Sequence, residues 1–474
     1  MTVRARVVVA GVVAAAVVSG GLVMERRLGA APTARSVAGP GVSGARYCPH
    51  GGGQGWRSWI VMANPTDVAA EVILTTRAGG GPPTSAASTV GPRSNAYVEV
   101  PSPEMASATV VEFFGSPVAA GMITARPDGE GGVGAEPCAE APATNWFVPE
   151  ASTLRGQDAT LVIHNPFGSE AVLDVRLLGE AGPIQHGRLR GLVLEPGRVK
   201  AVAVGRFALG EPGVAAAVEV HLGRVVVGGV HTSTAGVRTV IGTPSPSSSW
   251  VLPGSGDAGT GRVVVSAPGD EAAFRADALG EAGLTPLVDL ESVPGGSATT
   301  VDLPGGAGGV LVQGEGAAPL LAGRLLVAPP PPKPRPEPRR ERRGGGGGQD
   351  RRRELPEPPT PEAGDLASTG GAAAAEGRWV ALPATPPEGG PAALFIQNPG
   401  GGAAEVTVSR LDGSGAPPDV VEIPAASFAA LDLPATPVAL LIEATGAPVV
   451  PAQVSLDRRT YAVAVGIPIG RSGG

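Results

Sequence analysis

After its first thirty residues the chain reads as short Val- and Leu-rich runs punctuated by Gly, Pro and Asn. Where a run alternates, it does so with period two: Leu173, Val175 and Leu177 against Asp174 and Arg176, or Val406 and Val408 against Thr407 and Ser409. Side chains on a strand point alternately to opposite faces, so this pattern predicts half-buried β-strands. Gly or Pro interrupts nearly every window, which leaves long helices no room. The pattern predicts an all-β protein.

The runs recur as a set. Four segments open with an aromatic residue and a nearby proline: Tyr47-Cys48-Pro49, Trp146 to Pro149, Trp250 to Pro253 and Trp379 to Pro383. An apolar run then ends in a turn at Asn64-Pro65, Asn165-Pro166, Ala267-Pro268 and Asn398-Pro399. Asn starts such a turn by bonding its own backbone, and Pro fixes φ at the next position. The turn-to-turn spacings are 101, 102 and 131 residues. A second turn follows at Pro92, Pro196, Pro294 and Pro424, and each copy closes in a hairpin around Gly115, Gly223, Gly316 and Gly446. About seven strands per copy predict four tandem immunoglobulin-like β-sandwiches. The alternative is a continuous assembly such as a propeller, in which copies exchange strands. The tryptophans are expected to cover one end of each core, where the indole N–H still finds a partner.

The order Trp-[Phe/Val]-x-Pro, apolar-Asn-Pro, Pro-turn, then Glu-x-x-Gly with Pro-Val-Val resembles the tandem repeats of an actinobacterial family of secreted or membrane-anchored envelope proteins of unknown function. The resemblance covers about Tyr47 to Ile469, and the copies beginning at Trp146 and Trp379 match best. The first copy departs by placing Cys48 at an apolar position, and the third lacks Asn before Pro268. The resemblance implies an exported, non-enzymatic envelope role; it supplies no catalytic residues.

The N-terminus fits that role. Arg4 and Arg6 precede Val7 to Met24, eighteen uncharged residues that as a helix span roughly 27 Å, close to the hydrocarbon thickness. A cleaved signal peptide has a shorter apolar region, about 7–15 residues. The reading is an uncleaved signal anchor; small residues at Gly29-Ala30-Ala31 keep cleavage and secretion as the alternative. The domain reading is a cytoplasmic tip (1–6), a transmembrane anchor (7–24), a flexible linker (25–44) and repeats over 45–142, 143–246 and 247–328. A disordered linker (329–368) and a fourth repeat (369–474) complete it.

The linker accounts for the longer third spacing. Pro329 to Glu362 holds four opening prolines, Arg339-Arg340-Glu341-Arg342-Arg343, five glycines and Arg351-Arg352-Arg353, with nine basic and six acidic side chains. Such a segment cannot form a core. It reads as a solvated spacer, or as an electrostatic contact to anionic wall polymers or lipid headgroups. Leu366-Ala367-Ser368-Thr369-Gly370 resembles a sortase signal, but a whole repeat follows it, so the match is read as chance.

Candidate chemistry is sparse. The net charge of −7 argues against a nucleic-acid partner. Cys48 and Cys138 are the two cysteines; in an exported protein they predict a disulfide closing the first repeat. The five histidines, at 50, 164, 186, 221 and 231, form no metal or nucleophile motif, so no cofactor, metal or catalytic residue is assigned. Gly254 to Gly259 fits Gly-x-Gly-x-x-Gly but precedes a strand, so no helix N-terminus is there to hold a pyrophosphate. One polar recurrence stands out: Glu112, Glu219, Gln313 and Glu443 occupy the same place before the closing hairpin. They are read as outward-facing strand positions, or as a repeated hydrogen-bonding or cation-binding row. Three functions follow in order: a non-enzymatic, membrane-tethered envelope scaffold; a cell-wall polysaccharide-binding or glycan-assembly accessory protein; an unrecognised hydrolase. Partners expected are the cytoplasmic membrane and, beyond it, wall glycans or other envelope proteins.

Overall fold

The structure is a computed structural model that describes residues 42–126, 132–233, 236–254, 260–303, 308–327, 365–369, 371–457 and 460–469. The anchor read over 7–24, and most of the Pro/Arg/Gly-rich linker, lie outside the described residues. No helix among the described residues is long and apolar enough to cross a membrane.

The first repeat shows the plan. Its strands are β1 (Val42–His50), β2 (Arg57–Asn64), β3 (Ala70–Ala78), β4 (Thr84–Val90), β5 (Ser94–Val100), β6 (Ser107–Gly115), β7 (Ala119–Ala125) and β8 (Val133–Pro137). Two antiparallel sheets form, β1-β6-β3-β4 and β5-β2-β7-β8. The other three repeats reproduce both orders, with the fourth position split into two short strands in the second repeat and a two-residue strand added at the end of the fourth. Eight principal strands per repeat thus replace the seven expected.

This is a β-sandwich with a modified key. In a constant-type immunoglobulin domain the sheets run A-B-E-D and C-F-G. Here β1-β6-β3 and β2-β7-β8 reproduce the neighbour relations B-E-D and C-F-G. The outermost strand A has no counterpart, and β4 and β5 are added at the two far edges.

One boundary is corrected. Asp365–Thr369, placed by the sequence in the linker and at the head of the fourth repeat, is the eighth strand of the third repeat. It pairs with Leu321–Val327, joining Arg324 to Thr369 and Leu326 to Ala367. The first four residues of the sortase-like pentapeptide therefore lie in an edge strand, and the insertion interrupts a hairpin inside one sandwich rather than separating two. The fourth repeat opens at Arg378–Ala381.

The Asn-Pro turns tie each sandwich together. Asn165 is buried; its Nδ2 donates to the carbonyls of Ser169 (2.7 Å), Leu194 (3.1 Å) and Glu195 (3.2 Å), while Oδ1 accepts from Phe167 N–H (3.1 Å). Asn64 and Asn398 repeat the arrangement, reaching Val90 and Gly91, and Ile423 and Pro424. One side chain thus joins the two recurrent turns of its repeat. In the third repeat Ala267 has no such side chain, and its carbonyl accepts from Gly296 N–H (2.7 Å) instead. Trp146 and Trp250 are buried, and their indoles donate to Val225 O (2.7 Å) and Leu320 O (2.9 Å), at the start of the seventh strand.

The sandwiches do not exchange strands, yet they are not independent. Position-2 strands are buried on both faces, as in Arg57–Asn64 and Ala392–Asn398. Strands covered on both sides read as continuous apolar runs. Their outer faces meet the β1-type sheet of the preceding repeat. Ala106 and Trp56 pack on Val162, Val230 and Val237 between the first and second repeats. Phe147 of the second enters the core of the third, and Val251, Leu279 and Leu311 of the third join that of the fourth.

The fourth repeat then closes on the first: Val380, Leu382 and Leu441 share one core with Trp59, Val61 and Ile123. Polar contacts seal that joint. Tyr97 Oη donates to Thr385 O (3.1 Å), Gly413 N to Arg93 O (2.9 Å) and Ala439 N to Asn95 Oδ1 (3.1 Å). The described residues between 42 and 469 form a closed ring of four sandwiches.

The eighth strands line the ring axis, β8 beside Val237–Ile241, then Asp365–Thr369, then Thr460–Val465, which returns to β8. Strands on opposite sides, β8 and Asp365–Thr369, also approach within 8 Å between Cα atoms, so the axis is packed. Gly134 permits this: a Cβ there would lie 2.9 Å from the Thr239 backbone nitrogen.

Candidate functional site

The polar row predicted from sequence falls at equivalent register positions. Glu112 pairs with Ala45 and Ile73, Glu219 with Asn145 and Asp174, Gln313 with Ser249 and Arg275, and Glu443 with Arg378 and Thr407. All four are exposed, one per sandwich, and the structure does not bring them together. Glu443 is engaged locally by Arg378 at 3.0 Å. Cys48 and Cys138 are disulfide-bonded, linking β1 of one sheet to the residue after β8 of the other.

The structure gathers a different set near the axis, one that sequence reading missed. Glu136 on β8, Glu150 and Arg238 of the second repeat, His231 on Val226–Ser233, and Arg324 of the third are all buried. Arg238 Nη2 pairs with Glu150 Oε2 at 3.4 Å, and its Nε donates to His231 Nδ1 at 2.8 Å. A ring nitrogen that accepts is unprotonated, so His231 is the neutral tautomer carrying its proton on Nε2. Burial, and then the Arg238 charge, hold its pKa well below the usual histidine range. Burial pushes Glu136 well above the carboxylate range, the Glu150 charge adds to this, and a bond from Ile241 N–H opposes it. Ile241 belongs to the neighbouring innermost strand, so Glu136 caps an otherwise unpaired sheet edge across a repeat boundary. Burial lowers Arg324 to about 10. The signal was present in the sequence: each is a charge inside a short apolar run, as Arg324 is among Leu320 to Leu326.

These groups are enclosed, and their geometry joins three repeats rather than forming a cleft. Among the described residues no three His, Cys, Asp or Glu side chains are arranged to hold a metal ion. On the surface, His221 Nε2 lies 3.2 Å from Asp174 Oδ2; Gly191 N–H also donates to that aspartate and depresses its pKa.

The sequence pattern of a family of unknown function (DUF5719) matches residues 102–328, from the last strands of the first repeat to the insertion in the third. No curated protein matches the chain. Among solved structures, a crystal structure of a tetra-tandem repeat in the extending region of a large adhesion protein is 11% identical. The alignment covers 86% of this chain and 95% of that one, with a TM-score of 0.07, too low to bear on the fold.

Proposed function

We propose that this is a non-enzymatic, extracytoplasmic envelope protein, tethered to the cytoplasmic membrane by residues 7–24, whose ring of sandwiches is a rigid scaffold. The observation that carries the reading is the ring itself. Its recurrent polar residues serve turns and joints, as Asn64, Asn165 and Asn398 do, and its axis is filled by strands. The Cys48–Cys138 bond supports a location outside the cytoplasm, where disulfides persist.

We further propose a contact with anionic wall polysaccharide, supported by the composition of the insertion, which carries a net charge of +3 between Pro329 and Glu362. The test is sedimentation of residues 42–474, with and without 329–364, with purified wall polysaccharide and with anionic vesicles. Retention on wall polymer that requires the insertion is expected; no retention on any wall fraction would sink the contact.

A further inference from the structure

We infer that the joint between the first and second repeats is an acid-sensitive latch, built on His50 and His164, which loosens before the joint between the fourth and first repeats. His50 ends β1 and His164 ends Gln157–His164; both are buried, His164 on the strand face that carries Val162 toward the first repeat and His50 on the inward face of β1 that carries Cys48. His50 Nε2 bonds Thr109 Oγ1 at 2.9 Å, and Thr109 continues to Thr76 Oγ1 at 2.8 Å. His164 has no hydrogen-bond partner at either ring nitrogen, and neither does His50 at Nδ1. Such a pair is tolerated as two neutral rings. A proton on His164 places a charge in an apolar joint packed by Ala106, Val162 and Val230, and a proton on His50 places one inside the first sandwich beside Thr109.

The surrounding charges do not rescue that proton. Arg77, at the end of β3, lies close enough to oppose it, as would a charged His50. From the second repeat, Lys200 is paired beside Ile163, and Arg198 is engaged by Glu195 at 3.3 Å. Burial is the first cause in both rings and lowers each to about 3; for His164 the Arg77 and His50 charges add to it. A depressed histidine contributes stability fully present above the unfolded value of about 6.5, lost as pH falls toward 3. For His164, each pH unit lost in that window favours the opened joint by up to about 10-fold. The joint between the fourth and first repeats has apolar side chains and Arg57 paired with Glu99 and Glu388, but no histidine among its described residues.

The experiment compares wild type, H50Q/H164Q and the exposed-site control H186Q between pH 7.5 and 5.0. It reads hydrogen exchange, corrected for intrinsic rate, in β1 and Gln157–His164 against β5 and Ala404–Leu411. Expected is faster exchange at the first joint alone as pH falls, in wild type and H186Q, with the slope lost in H50Q/H164Q even if that variant is less stable. An unchanged slope in the double variant, simultaneous loosening of both joints, or a His164 ring titrating near 6.5 in the folded protein by NMR would overturn the inference.

Discussion

Removing the Asn165 side chain tests most sharply how the repeats are held together. Asn165→Ala deletes one acceptor and two donor hydrogens that serve three carbonyls, in a site with almost no solvent access. Counting three bonds at about 1 kcal/mol each, the loss is roughly 3 kcal/mol, and stranded carbonyls at Leu194 and Glu195 push it upward. Asn165→Asp is expected to cost at least as much, because it aims a carboxylate at carbonyl oxygens. Urea unfolding followed by fluorescence gives the loss from the midpoint shift at the measured slope. A loss below about 0.5 kcal/mol, or an aspartate variant as stable as wild type, would refute the view that this amide is the tie between turns.

Glu136→Gln is expected to raise the urea midpoint at pH 7.5 and leave it nearly unchanged at pH 4. The buried carboxyl has a raised pKa, so its stability contribution is present below its unfolded value and lost as pH rises; equal shifts at both pH values would contradict this. Trp146→Ala should cost about 3–5 kcal/mol, and Trp56→Ala well under half of that. Trp146 is enclosed and bonded to Val225, while Trp56 is partly exposed beneath Arg126; thermal unfolding ranks the two. Cys48→Ala with Cys138→Ala should lower stability by up to about 4–5 kcal/mol for a 90-residue separation, read by unfolding of the oxidised parent and the double variant.

How much was legible follows from which forces act locally. The strand pattern, the four copies, the Asn-Pro turns and the cystine are visible because turn chemistry and period-two burial are written within ten residues of themselves. Ring closure is not local. Its trace was the unbroken apolar character of runs such as Leu161 to Ile163 and Leu394 to Ile396, which meant both faces were covered. That character does not say by what. The eighth strand of the third repeat was hidden because Asp365–Thr369 lies beyond the insertion and its short run has no alternation to mark it. The Glu112 row was legible as a recurrence, and its outward direction explains why nothing converges on it. The buried Glu136, His231 and Arg238 looked like ordinary strand residues because their partners come from neighbouring strands and repeats.

The central claim is that the fourth repeat closes on the first. Glu99 and Glu388 lie in those two repeats, and Arg57 contacts both, at 2.6 and 3.3 Å. Exposed pairs of this kind contribute little to stability, so both acids can be replaced by cysteine without opening the ring. With the native cysteines bonded to each other, spin labels go to Glu99→Cys and Glu388→Cys alone. A closed ring gives strong dipolar broadening between the labels. An open string of sandwiches places the sites on the order of 90 Å apart, three repeats at about 30 Å each, and gives none. Absence of broadening in folded, fully labelled protein would contradict the ring.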